Sequence, residues 1–167
     1  MQKPYVVCHM LMSMDGRIVT TGWNLSPAGR AEYEATAAIY QANAWICGRV
    51  TMAAFAQGPA PVPPSAAPAL AKTDYTAPGT HASYAIALDA SGKLIWENGD
   101  ISGDHVVTVL TEKVPASYLA FLQTRGVSYL FAGRDTVDLS IALDKLVTRF
   151  QIKTLLLEGG GKSTARC

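Results

Sequence analysis

The sequence predicts an α/β domain built around a mostly parallel sheet. Three observations carry that expectation. Short apolar, β-branched runs of strand length recur along the chain, amphipathic segments with helical spacing lie between several of them, and polar turns follow their ends. The runs are continuous rather than alternating. Strands buried on both faces read that way, and helices laid over a parallel sheet bury them so.

The first run, residues 4–12 (PYVVCHMLM), reads as a buried strand and leads into the polar turn Ser13-Met14-Asp15-Gly16-Arg17. Ser26 followed by Pro27 marks a helix start, with a side-chain acceptor at the cap and a proline where no amide hydrogen is needed. The helix is expected over 27–43, with Tyr33, Ala37 and Tyr40 on one face. Residues 44–47 read as a second buried strand ending at Gly48, and a short helix over about 50–56 is expected after it. Residues 57–82 read as a long loop, because five of the nine prolines (Pro59, Pro61, Pro63, Pro64, Pro68) fall there among alanines. A strand at 84–88 precedes Asp89-Ala90-Ser91-Gly92-Lys93, which reads equally as a hairpin turn. Then come a strand at 106–110, a helix at 116–124 stopped near Gly126, and a strand at 127–132. A helix at 138–149, with Leu139, Leu143, Leu146 and Val147 on one face, and a strand at 154–157 complete the pattern.

With 167 residues, one domain over 1–167 is expected. Hydrophobic residues make up 49% and charged residues 16%, which excludes a disordered chain and implies that part of the surface is covered by a partner or second subunit. The net charge of +1 argues against nucleic-acid or polybasic membrane binding, since there is no excess of cations to displace counterions. No apolar run reaches the roughly 20 residues of a membrane helix, and the first residues lack the apolar core of a signal peptide. The three cysteines have no metal-like spacing, so no metal site is expected. Cys8 and Cys47 sit in apolar runs and read as reduced core residues, which fits the cytoplasm.

In an open α/β sheet, ligands bind beyond the carboxyl ends of the strands. Three features fall there: Ser13–Arg17, Gly48-Arg49-Val50-Thr51 and Glu158-Gly159-Gly160-Gly161. The glycines let backbone N–H groups approach a phosphate, or serve as a plain turn; both readings stand. Gly161-Lys162-Ser163 is not a P-loop, because the leading glycine would be Leu156. Gly48–Thr51 offers a cation and a hydroxyl at a strand end, or an ordinary helix start. Asp15 reads as a turn residue or a catalytic acid. His9 reads as a satisfied core or edge histidine, and His81 and His105 are far apart in sequence. Tyr118, Phe121 and Leu122 read as helix-face core. The zinc-deaminase and GxSxG signatures are absent.

Taken in order, Met12-Ser13-Met14-Asp15-Gly16-Arg17-Ile18, Trp23 before Ser26-Pro27, Gly48-Arg49-Val50-Thr51, Val137-Asp138-Leu139 and Leu155-Leu156-Leu157-Glu158-Gly159-Gly160-Gly161 form a pattern. It resembles the C-terminal reductase domain of the bifunctional riboflavin-biosynthesis enzyme, in the dihydrofolate-reductase-like superfamily, over about residues 4–161. The resemblance implies a three-layer α/β/α fold with a mostly parallel sheet, NADPH as cofactor, a homodimer, and hydride transfer to a small pyrimidine-, pterin- or ribosylamine-like substrate. The riboflavin-pathway member acts on 5-amino-6-(5-phosphoribosylamino)uracil. Carried over by position, Gly48, Arg49 and Thr51 would face the cofactor phosphates and Trp23 would lie at the cofactor. Ser91 and Lys93 would meet the 2′-phosphate, while Gly159, Gly160 and Gly161 would wrap the pyrophosphate. Asp15 and Glu158 would stand at the substrate as the catalytic positions.

The chain departs from that family in two ways. Residues 31–48 and 50–124 contain no arginine, where family members use arginines on the substrate's phosphate. The sequence also stops six residues after the glycines, where family members continue with a helix and two strands. An open sheet edge is therefore expected, with strand 127–132 as the place to look for it. Two other readings stand beside the reductase. One is a dihydrofolate reductase proper, and the other a non-catalytic nucleotide-binding module or degenerate fragment.

Overall fold

The computed structural model describes residues 1–18, 22–58 and 70–159. Along them run β1 (Tyr5–Cys8), α1 (Pro27–Ile39), β2 (Ala44–Gly48), α2 (Arg49–Met52), β3 (Tyr84–Leu88), β4 (Asp100–Ile101), β5 (Asp104–Leu110), α3 (Ala116–Thr124), β6 (Ser128–Phe131), α4 (Leu139–Phe150) and β7 (Thr154–Leu157). The strands form one sheet in the order β1-β7-β2-β3-β5, with β4 and β6 both flanking β5 on its far side. Every pairing is parallel except that of β4 with β5.

Alternation along each strand sorts the core into two layers. Ala44 and Ile46 of β2, Ile86 of β3 and Leu155 and Leu157 of β7 turn to one face, where α4 lays Ala142, Leu143, Leu146 and Phe150 over them. Cys47, Ala85, Ala87, Val106 and Tyr129 turn to the other, beneath Met52 of α2 and Tyr118, Leu119, Phe121 and Leu122 of α3. Helices on both faces explain why most of the strands read as unbroken apolar runs.

The helix starts follow the sequence. The Ser26 hydroxyl accepts the Gly29 N–H at 3.1 Å ahead of Pro27, and the Asp138 carboxylate caps α4 by accepting from Ser140 and Ile141. α1 ends at Ile39, four residues before the expected position 43, because Gln41 takes a left-handed φ of 47° and turns the chain into β2. α2 is one turn, shorter than the expected 50–56. None of α1's residues is buried, in contrast to α3 and α4.

Four expectations are corrected. β1 covers only Tyr5–Cys8 and is not buried, because it lies at the sheet margin with β7 as its one partner among the described strands; Cys8 is exposed, while Cys47 is buried. Residues 89–93 are not a hairpin turn, since β3 pairs in parallel with β5; the hairpin is β4–β5, turning at Ser102 and Gly103, both with positive φ. The open edge does not lie at β6, whose residues are all buried and whose Tyr129 bridges Tyr75. The proline-rich stretch falls largely outside the described residues (59–69), but its described flanks are tied down, Gln57 bridging Ile95 and Tyr75 bridging Tyr129.

At the start of β5 two histidines far apart in sequence come together. The His81 and His105 rings stack with centroids 3.7 Å apart. The Ser128 hydroxyl accepts the Ala77 N–H at 2.9 Å and is hydrogen-bonded to His105 Nε2 at 2.7 Å. Burial, and next the neighbouring His81, lower the His105 pKa from its ordinary 6.5 to about 4. The unfolded chain therefore takes up this proton as pH falls below 6.5, while the folded chain resists until about 4, so this contribution to stability is complete above 6.5 and is lost between 6.5 and 4. Thermal melts from pH 7 to pH 4 are expected to show a steeper loss for the wild type than for His105→Gln, whose side-chain amide can still bond Ser128. Equal slopes would refute the assignment.

Candidate active site

Six of the strands run in one direction, so their carboxyl ends share one edge of the sheet. The loops gathered there are His9 onward, Gly48–Thr51, Asp89–Lys93 and Glu158–Gly159. This is the edge where α/β sheets bind ligands.

Register builds the centre of this edge. Cys8 stands opposite Leu157, so the next residues, His9 and Glu158, emerge side by side. His9 N–H continues the ladder to Leu157 O at 3.0 Å, and Glu158 N–H reaches Ile46 O at 3.1 Å on the other side. His9 Nδ1 lies 2.9 Å from Glu158 Oε1, and the imidazole is only 7% exposed. The Tyr33 ring, from α1, packs on His9 with centroids 4.0 Å apart, which sets its hydroxyl in the field of the Glu158 carboxylate. Burial and then the Glu158 charge push the Tyr33 hydroxyl well above its ordinary value. The same two causes push the Cys47 thiol up to about 12, which leaves it protonated and inert as a nucleophile near neutrality. Gly159 lies against Cys47: a Cβ there would sit 3.1 Å from Sγ and 3.2 Å from Cα, so a glycine lets β7 leave the sheet tight against β2.

After β3, the loop with Ser91 and Lys93 is fixed by a carboxylate that sequence reading took as a turn residue. Asp89 is fully buried, and its Oδ2 accepts the N–H groups of Lys93 at 2.6 Å and Leu94 at 2.8 Å. The Tyr118 hydroxyl donates to Leu94 O at 2.7 Å beneath the same loop. Ser91 and Lys93 are held exposed above this support.

The other expected residues are distributed unevenly. Arg49 and Thr51 are exposed on α2, Gly48 caps it without a side-chain bond, and Trp23 is half-buried ahead of α1. Asp15 is exposed, bonded to Ser13 and paired with Arg17 at 2.9 Å. Among the described residues nothing joins Asp15 to Glu158. Gly160 and Gly161 lie outside the described residues. Glu158 and Thr51 do come together, on the wall of a cavity of about 370 Å³ that also takes in Glu34, Trp45, Cys47 and Phe55. Among the described residues no cluster of His, Cys, Asp and Glu is arranged to hold a metal.

The family model for the RibD C-terminal domain matches residues 4–165. The chain belongs to the RibD C-terminal domain family. A riboflavin biosynthesis reductase of Saccharomyces cerevisiae superposes with a TM-score of 0.61 at 17% identity, covering 96% of this chain and 64% of that one. A pyrimidine reductase-like protein from Corynebacterium diphtheriae gives 0.60 at 18% identity, covering 94% and 66%. RibD from Acinetobacter baumannii gives 0.60 at 20% identity, covering 98% and 42%. This family member therefore spans about two thirds or less of each of those chains, and shares with them the α/β fold that the resemblance implied. No curated protein sequence matches it.

His9, Tyr33, Glu34 and Asp89 were not singled out in the sequence for this site. No local signal marked His9, which lies inside the apolar run 4–12; only the pairing of β1 with β7 brings it to Glu158. Replacing His9 with Ala strips the partner from a mostly buried carboxylate and is expected to cost about 1–3 kcal/mol of unfolding free energy in urea. His9→Gln, which keeps a donor, should cost less. Equal losses for the two would show that ring packing on Tyr33, and not the bond to Glu158, carries the contribution.

Proposed function

We propose that this chain is an NADPH-dependent reductase that passes hydride to a small heterocyclic substrate, as in the reduction step of riboflavin biosynthesis. The observation that carries the reading is the convergence of Glu158 and Thr51, two positions taken from the family pattern, on one cavity that runs under α1 from the carboxyl edge of the sheet to Ser83 and Asp104. In this reading the chain is a single reductase domain over 1–167, forms a homodimer and works in the cytoplasm.

The residues present fit a dinucleotide. β2 and β3 are neighbours, and each ends in an exposed pair of one cation and one hydroxyl, Arg49 with Thr51 and Lys93 with Ser91. Bare backbone at Gly159 continues the edge next to β2, and in this reading Gly159, Gly160 and Gly161 bind the pyrophosphate. Arg49, Thr51 and Gly48 would hold the phosphates, Ser91 and Lys93 the 2′-phosphate, and Trp23 the ring end. NADPH, when bound, supplies the hydride.

The protein's own part is to orient, to exclude water and to place charge. Glu158 cannot swing freely, because His9 holds its carboxylate and Ile46 its backbone. It therefore presents a fixed acceptor to a substrate N–H or O–H. Asp15, on the first turn of the same edge, would stand at the substrate side of the donor.

Fluorescence titration with NADPH and NADH is expected to show tighter binding of NADPH. Thr51→Ala should weaken that binding by roughly 1–2 kcal/mol through the lost hydroxyl contact. Equal affinity for the two cofactors would remove the assignment of Ser91 and Lys93. An unchanged dissociation constant in the variant would remove Thr51. Failure to bind either cofactor would favour the non-catalytic module.

A further inference from the structure

We infer that Asp89, a residue that would never touch the cofactor, sets this chain's preference for NADPH over NADH. The inference rests on the reductase reading above and names the positioning residue behind its cofactor choice.

A carboxylate turned outward at a dinucleotide's ribose selects NADH, because it accepts the 2′-hydroxyl and repels a 2′-phosphate. Asp89 stands where such a residue would act, directly after β3 on the carboxyl edge of the sheet. Its side chain points the other way. The residue has no exposed surface, so no ribose can reach it. Oδ2 accepts the N–H groups of Lys93 at 2.6 Å and Leu94 at 2.8 Å, and Oδ1 is sealed from solvent with no partner among the described residues. A buried carboxylate with one oxygen unmatched is costly. Its structural effect is to fold the loop of residues 89–94 over itself.

That loop is held from beneath at nearly every residue. Gly92 N–H returns to Asp89 O at 3.1 Å, and Asp89 N–H reaches Val109 O at 3.0 Å. Thr111 binds Ala90 O twice, through its N–H at 3.3 Å and its hydroxyl at 2.6 Å. The Tyr118 hydroxyl donates to Leu94 O at 2.7 Å. Gly92 has a φ of 65° and lies against α3, where a Cβ would stand 2.7 Å from Tyr118 Cδ1. These bonds use the N–H groups of Asp89, Gly92, Lys93 and Leu94. The N–H groups of Ala90 and Ser91 have no partner among the described residues. Ala90, Ser91 and Lys93 are the exposed residues of the loop. What it leaves unengaged is therefore two backbone N–H groups, the Ser91 hydroxyl and the Lys93 ammonium. Such a set suits a phosphate, and a loop fixed in advance loses little freedom on binding one.

Calorimetric titration of the full chain with NADPH and NADH measures the ratio of their affinities. Asp89→Asn keeps the shape and removes the charge that holds two N–H groups. It should lower the ratio about tenfold while NADH affinity stays within about twofold. Thr111→Val removes only the hydroxyl bond to Ala90 O and should lower the ratio about two- to threefold. It carries the test if Asp89→Asn does not fold. Equal affinities in the wild type overturn the inference. So does a loss shared equally by both cofactors in the variants, which would make Asp89 a structural support alone. Adenosine 2′-phosphate and adenosine, titrated alongside, separate this inference from the reductase reading. A preference for adenosine 2′-phosphate that either variant weakens, without binding of either dinucleotide, retires the reductase and keeps Asp89. Dinucleotide binding with a ratio indifferent to both variants does the reverse. A wild-type chain that binds none of the four compounds overturns both.

Discussion

The parallel insertion of β7 between β1 and β2 is the constraint on which the candidate site depends. That placement fixes three registers at once: Cys8 opposite Leu157, Ile46 opposite Leu157, and hence His9, Glu158 and Cys47 within one turn of each other. The His9–Glu158 bond follows from this geometry, because neither residue has another route to its partner across 149 positions of sequence. Close approach at the end of β7 follows as well, since a Cβ at Gly159 would press on Cys47 at 3.1–3.2 Å. Slipping β7 by one residue would turn Glu158 to the α4 face and Leu157 into the site, exchanging a bonded carboxylate for a methyl surface on one side and burying a charge on the other.

A second consequence concerns α1. Its inner face offers Tyr33, Glu34 and Ala37 to the sheet, and these are either small or polar. Such a face cannot collapse onto Trp45, Cys47 and Leu156 as α3 collapses onto its strands. Only Tyr33 reaches across, and it does so at the carboxyl edge, where His9 and Glu158 receive it. The helix therefore stands away from the sheet, and the space beneath it is the cavity. The polar residues that keep the helix from packing are the same ones that give the cavity its acceptors. In this region, packing density has been traded for a recess with chemistry on its wall.

How much of this was legible in the sequence depends on the range of the forces involved. The strands at 84–88 and 154–157 and the helix at 116–124 coincide with the observed elements, because local periodicity and turn chemistry decide them. The start of α1 was legible for the same reason, written in the Ser26 cap ahead of Pro27, whereas Asp138, placed inside the helix at 138–149, is its cap. β1 was misjudged because apolar periodicity reports propensity for a strand and not its place in a sheet: Tyr5 and Cys8 are exposed at a margin that only the pairing of β7 defines. The turn at Asp89 was misjudged because its carboxylate looks the same whether it faces solvent or accepts two backbone N–H groups in the interior. The pairs His81–His105 and His9–Glu158 are products of long-range pairing, and no local pattern announces them.

Charge is divided along the strand direction in a way that bears on what each end of the sheet is able to hold. At the carboxyl edge, exposed cations sit on short loops after β2 and β3, and carboxylates line the recess beneath α1. At the amino edge, Arg149 in the last turn of α4 and Lys153 just beyond it lie where basic side chains neutralise the exposed carbonyls of a helix terminus. The amino-edge cations are thus accounted for by the fold itself. The carboxyl-edge arrangement is not: nothing in the folding of β7 or α1 requires that a recess holding Glu158 and Thr51 adjoin a row of cations and hydroxyls. Under the proposed reading, a ligand with an anionic tail on the loops and a second molecule donating to Glu158 would satisfy both halves together.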